Sequence, residues 1–341
     1  MSFLGSYSCS DAPVPTFLSI ITAIVDSILT ITAVTGNLLV LLAFLLDPNR
    51  NLRSRFNYFV ANLAAADFIL GCCGLPLSVE YHIRESRSAN VEAFDSNLPR
   101  DHARRIIILI SCTASLLSLA ALTIDRFTAI NDPLGYRTRM NTKQAVIVSL
   151  LIWFISSWLS FLYFYAGYLN CRFFVANLAV IATFAVLCLN YFKVLKHFKV
   201  QADTWDVLHD GQNRDNLAKM RAVKRQKKIT QTLVITLVLF TCCFFPALIF
   251  IYVISFCASC SCISIHWARD LNGILIRGNS SLNPYIFAWR LKRYRTAIAK
   301  ILRCGKTLQK HGFTLSDLGT SMNNLGFAVS GTYKYHGNEE T

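Results

Sequence analysis

The chain has 341 residues, 54% of them hydrophobic and only 16% charged, with a net charge of +15 and a mean hydropathy of +0.42. Apolar content gathered in long runs excludes an ordinary soluble domain, which would divide it among amphipathic elements. No basic stripe lies on a soluble domain, which argues against a nucleic-acid partner. The seven histidines (His82, His102, His197, His209, His266, His311 and His336) are scattered, and no nucleophile–base or metal constellation of an enzyme is visible.

Apolar runs fall at 17–46, 56–82, 102–130, 142–166, 173–198, 228–256 and 266–288. A bilayer core needs about 20 mostly apolar residues per helix, so each run predicts a crossing. The expected fold is an all-α membrane protein, a bundle of seven transmembrane helices with a C-terminal amphipathic helix. Residues 1–16 form an extracellular N-terminus, 17–288 the bundle, 289–304 the surface helix and 305–341 a cytoplasmic tail expected to be disordered. The first run is too long for a signal-peptide core and is expected to act as a signal anchor. A transporter or channel would predict paired repeats and discontinuous helices, and no repeat is seen.

Charge predicts the orientation. The first, third and fifth connections and the segment from Arg290 onward carry net charges of +2, +2, +6 and +6, while the other connections and the first sixteen residues are near neutral. Lys and Arg favour the cytoplasmic side, which places the N-terminus outside and the C-terminus in the cytoplasm of a multi-pass plasma-membrane protein.

Polar residues inside the runs come next, in chain order. Asp26 lies in the first run and Arg277 in the seventh; an ionisable group in a membrane needs a partner, and these two are expected to pair. Asn37 stands in "GNLLV", Asn62 and Asp67 in "NLAAAD". The third run ends in Asp125-Arg126-Phe127, followed by Pro133-Leu134 in "DRFTAINDPLGY". Trp153 stands in the fourth run, Cys243, Phe244 and Pro246 in "CFFP" of the sixth, and "NSSLNPYIF" with Asn279, Asn283, Pro284 and Phe287 ends the seventh. Pro246 removes a backbone hydrogen bond and kinks its helix. The stretch "AWRLKRYRTAIAKILRC" is basic and amphipathic, as for a helix on the inner leaflet, and Cys304 at its end is a palmitoylation site by expectation.

In order and spacing over residues 17–304, these motifs resemble those of rhodopsin-like G-protein-coupled receptors. The resemblance implies a receptor for an extracellular ligand that couples to a heterotrimeric G protein and catalyses no bond chemistry. It implies G-protein contacts at Arg126 and Leu134, and an activation switch of Phe244, Pro246, Asn283, Pro284 and Phe287. Phe244 stands where most relatives have Trp. Phe287 stands where they have a Tyr that meets, through water, a fifth-helix Tyr matched here by Tyr191. The resemblance also implies a sodium pocket of Asp67, Ser115, Asn279 and Asn283; no other cofactor is expected.

Three family features are missing. Asp101 replaces the usual Cys at the outer end of the third helix, the connection around "GYLNCR" is very short, and Thr183 replaces a fifth-helix Pro. Together these resemble the melanocortin, lysophospholipid, cannabinoid and adenosine branch. The cysteines of "FCASCSC", Cys257, Cys260 and Cys262, lie in an oxidising compartment. A bridge from Cys257 to Cys260 or Cys262 is expected, with Cys9 and Cys171 available to others; sequence does not fix the connectivity. Of the melanocortin acidic triad only Asp101 matches, with Leu77 and Arg105 in the other places, and Ile108 stands where amine receptors carry an Asp. The outer basic residues Arg104, Arg105, Arg269 and Arg277 motivate an anionic lipid or acidic small molecule as ligand, since Arg suits phosphate and carboxylate. A melanocortin-like peptide is the alternative.

Overall fold

The structure, a computed structural model, describes residues 9, 14–47, 52–88, 98–131, 142–167, 173–174, 177–178, 214–257 and 259–310, and their side chains except at 130, 131, 163, 166, 214–230, 233, 237, 289 and 304–310. Their regular structure is wholly helical. It comprises α1 (Thr16–Leu46), α2 (Arg55–Ile69), a π-helical turn (Leu70–Gly74), α3 (Leu75–Ser88), α4 (Pro99–Asn131), α5 (Thr142–Ala166), α6 (Arg214–Phe256), α7 (Cys262–Arg290) and α8 (Lys292–Lys310). The second apolar run is thus α2, the π turn and α3 together. Pro76 explains the interruption: it has no N–H for the carbonyl four residues back, and a widened turn is one way a helix absorbs that loss.

Five segments of the described residues are long and apolar enough to cross a bilayer: Thr16–Leu46, Arg55–Ser88, Pro99–Ala129, Thr142–Leu162 and Val234–Phe256. The expected seventh crossing is α7, whose 29 residues would extend about 43 Å at 1.5 Å per residue. It carries His266, Arg269, Asp270 and Arg277 along its length. Only 173–174 and 177–178 of the expected fifth crossing are described.

The outside of the bundle is apolar, and polar groups are gathered inside among the apolar core. Ile24, Ile28, Ile31, Leu150, Phe154, Trp158 and Phe161 are exposed, whereas Asp26, Asn37, Asn62, Asp67, Ser118, Asn272 and Asn283 are buried. That arrangement suits lipid as solvent, where polar groups must find partners within the protein. α7 packs along α6 and α1, and α4 packs on α2 and α5. A core of Val40, Phe56, Phe59, Leu63, Leu122, Phe287, Leu291 and Tyr294 fills the inner end.

The amphipathic helix runs to Lys310 rather than stopping at 304, and starts after Leu291 rather than at 289. Its Tyr294 and Ala297 are buried against the bundle, with Ile298 and Ile301 partly buried beside them. Burial pushes the Tyr294 phenol well above its usual range, and the nearby Asp47 adds to the effect.

Candidate functional site

The inner end of α4 holds Asp125 and Arg126 at the bundle floor. Arg126 donates from Nη2 to Asp125 Oδ2 at 2.5 Å and lies 4.8 Å from the centre of the Phe56 ring. Asp125 also takes Arg55 of α2, at 3.2 Å. Both residues of the pair are buried, so the arginine is held within the bundle. Leu134 and Tyr191, the other expected coupling residues, lie outside the described residues, as do Thr183, Cys171 and the Cys304 side chain.

In the middle of the bundle Asp67 is fully buried. Its Oδ2 accepts from Asn283 Nδ2 at 2.9 Å, and the hydroxyls of Ser280 and Ser115 lie near the carboxylate. Three buried oxygens have no hydrogen-bond partner here: Asp67 Oδ1, Asn279 Oδ1 and Asn283 Oδ1. A carboxylate, amide oxygens and a hydroxyl are hard donors suited to a small cation, so the residues fit the expected ion. Ser280, buried next to Asn279, is a neighbour that the expected set did not include. Beside it, Trp153 Nε1 donates to Asn62 Oδ1 at 2.9 Å, and Asn62 Nδ2 donates to Ser118 at 2.8 Å.

The switch residues fall into two apolar groups. Phe244 stacks on Phe240 with centroids 4.1 Å apart, packed with Leu119 and Cys243. Asn272 of α7 donates to the Ala247 carbonyl beside Pro246, at 2.5 Å, tying α7 to the proline region of α6. Phe287 is buried in the inner core beside Leu122 and Tyr294.

The outer mouth departs from its expected basic character. Arg277 Nε lies 2.9 Å from Asp26 Oδ1, the pairing expected from their depth. Arg269 donates to Glu85 Oε1 at 2.7 Å and to Asp270 Oδ1 at 2.7 Å. Arg269 and Arg277 are thus each engaged with carboxylates of the bundle. Asp101 is buried and takes Arg84 at 2.6 Å; Glu80 takes Arg84 at 2.6 Å and Arg100 at 2.9 Å. Arg104 lies 4.2 Å from the Tyr81 ring centre. Arg105 lies in the same electrostatic neighbourhood of Tyr81. Ile108 sits in an apolar cluster with Ala33, Leu70 and Leu75.

Sequence reasoning missed Glu85, His82, Asp270 and Asn272. Their signal is the one that revealed Asp26 and Arg277, polarity at depth; Asp270 directly follows Arg269 and halves its meaning as a cation. The cysteines pair as Cys257–Cys260 and Cys9–Cys262. The first is one of the two expected bridges, and the second takes Cys262 to the N-terminal segment.

The family described as "7 transmembrane receptor (rhodopsin family)" matches residues 36–287. The chain is 29% identical to the histamine H2 receptor of Canis lupus familiaris over 336 residues, covering 88% of this chain and 83% of that one. It is 28% identical to trace amine-associated receptor 8b of Mus musculus over 315 residues, covering 84% and 87%. It is 26% identical to trace amine-associated receptor 9 of Homo sapiens over 319 residues, covering 83% and 84%. These relatives carry amine-receptor names, and so correct the expected melanocortin, lysophospholipid, cannabinoid and adenosine branch.

Proposed function

The chain belongs to the rhodopsin family of seven-transmembrane receptors, and we propose that it carries an extracellular ligand signal across the plasma membrane to a heterotrimeric G protein. The observation that carries this reading is Arg126, buried at the inner end of α4 with its guanidinium on Asp125 and over Phe56. So held, it presents no charge to the cytoplasm. An outward swing of the inner half of α6 about Pro246 would open the floor and let Arg126 turn to a G protein. The receptor thus acts by redistributing between two packings, and an agonist acts through its differential affinity for them. The bias of Lys and Arg along the chain supports an extracellular N-terminus, and the Cys9–Cys262 and Cys257–Cys260 bridges fit an oxidising exterior.

Sodium, where bound, would be held by Asp67 with Ser115 and the orphan amide oxygens of Asn279 and Asn283. It would supply one positive charge opposite the Asp67 carboxylate and favour the closed packing around it.

The ligand reading is a molecule with an acidic group met by Arg104 and Arg105 beside Tyr81. The amine named by the relatives is the second reading, and it is favoured by them alone. Against it stands Ile108, packed among Ala33, Leu70 and Leu75, which offer an ammonium no acidic partner.

The test is guanine-nucleotide exchange on purified G protein in receptor membranes, with acidic and amine compound sets in parallel. Arg126→Ala is expected to abolish exchange with surface expression and ligand binding retained. Arg104→Ala and Arg105→Ala are expected to lower the potency of an acidic agonist at least ten-fold. Exchange that persists in Arg126→Ala overturns the coupling assignment. An amine agonist indifferent to both outer substitutions overturns the ligand assignment alone.

A further inference from the structure

His82 on α3 has a carboxylate at each ring nitrogen. Glu85 Oε2 lies 3.2 Å from Nδ1 and Asp26 Oδ2 lies 4.0 Å from Nε2. A neutral imidazole has one N–H, so it serves one of these oxygens and turns a lone pair toward the other. The conflict is visible at Asp26, whose buried Oδ2 has no hydrogen-bond partner. Asp270 of α7 completes the group: one ligand atom each from His82, Glu85 and Asp270 lies within 4.8 Å of the other two. All three residues are buried.

Charge is also incomplete. The Asp26–Arg277 pair balances itself, but Glu85 and Asp270 share the single guanidinium of Arg269. With the imidazole neutral, one negative charge is left over in a buried place. Arg269 has a side-chain exposure of 27%, against 1% for each carboxylate it bridges, so it is the most exposed member of the group.

We propose that His82, Glu85 and Asp270 bind a divalent transition-metal ion of the zinc class, with Arg269 swinging to water as the ion enters. The dication then balances both carboxylates while the imidazole stays neutral. Tetrahedral zinc with bonds of about 2.0–2.1 Å sets its donor atoms about 3.3 Å apart, close to the 3.2 Å between His82 Nδ1 and Glu85 Oε2. A metal on Nδ1 fixes the ring proton on Nε2, aimed at the orphan oxygen of Asp26. A carboxylate behind a metal-binding histidine orients the ring and raises its basicity. Ser19 and Thr22 of α1 donate to Glu85 at 2.8 Å and Asp270 at 3.2 Å, and so steady the ligating carboxylates. The ion would join α3 to α7 across α1 and favour whichever receptor packing keeps them together.

The experiment titrates zinc chloride, with no other ligand, against the full-length receptor in nanodiscs at pH 7.4. A competing zinc-sensitive dye reports affinity, and a parallel melt reports stability. Saturable binding with a raised melting temperature is expected. His82→Gln and Asp270→Asn should weaken zinc at least ten-fold, and Arg269→Ala should tighten it at least ten-fold by removing the competing cation. Because this last variant gains affinity, the proposal stays testable if His82→Gln fails to fold. No zinc-dependent stabilisation, or zinc affinity unchanged by both Asp270→Asn and Arg269→Ala, would overturn the site. Stability that responds to pH but not to zinc, with the response lost in His82→Gln, would also overturn it by showing that a proton fills the place.

Discussion

Asp67 concentrates the residue-scale argument. One formal charge lies fully buried among helices, hydrogen-bonded by Asn283 and near the hydroxyls of Ser280 and Ser115. These dipoles share that charge but do not cancel it, and three buried oxygens are left over for a cation. Sodium binding to the folded receptor alone would stabilise it by mass action, by about 1 kcal/mol at a concentration several times its dissociation constant. The wild type should therefore melt higher in sodium chloride than in choline chloride at equal ionic strength, and Asp67→Asn should erase the difference. A difference that survives in the variant would place the ion elsewhere. Phe287 poses the opposite case, an apolar side chain where relatives carry a hydroxyl. It is buried with Phe59, Leu122 and Tyr294, whose own hydroxyl already lacks a partner. Phe287→Tyr would add a second unpartnered hydroxyl to the resting core, at about 1–3 kcal/mol. Basal nucleotide exchange should rise several-fold at equal surface expression; a flat or lower basal rate would show that the added hydroxyl finds a partner in the resting state.

At the scale of elements, what was legible was what local sequence controls. Length and apolar content set α1, α4, α5 and the apolar half of α6 to within a few residues, because lipid imposes both. The surface helix was legible from its basic amphipathic pattern, but its end was not, since Cys304 is no stop signal and the helix continues to Lys310. The π turn at Leu70–Gly74 was illegible as such, although Pro76 supplies its cause. Helix contacts also hang on single glycines that no run reveals. A Cβ on Gly36 of α1 would lie 2.7 Å from Pro284 Cγ of α7, against a ring that cannot turn aside, whereas one on Gly278 meets nothing within 4 Å. Gly36→Ala should thus separate α1 from α7 and lower the melting temperature. Gly278→Ala should leave stability unchanged or raise it by up to about 1 kcal/mol, the helix-propensity difference between the two residues. Equal effects from the two substitutions would count against this close approach.

For the whole molecule, the outer half is held by charge as much as by packing. Asp26, His82, Glu85, Arg269, Asp270 and Arg277 join α1, α3 and α7, and Arg84, Glu80, Arg100 and Asp101 join α3 to α4. Little of this was legible, because partners up to 251 positions apart leave no spacing to read. The Asp26–Arg277 pair was the exception: two lone ionisable groups at depth constrain each other where several do not. Breaking a buried pair by removing one partner costs about 3–5 kcal/mol, because the other charge is stranded, while replacing both with apolar groups is often nearly neutral. Arg277→Met and Asp26→Leu should each lower the melting temperature of the purified receptor sharply. The double variant should recover much of the loss, less whatever Asp26 contributes through His82. It should also still respond to agonist, since Arg277 is committed to Asp26 and not to the ligand. A double variant as unstable as the two singles combined would mean that the charges act independently, and a double variant that folds but no longer binds agonist would return Arg277 to the ligand site.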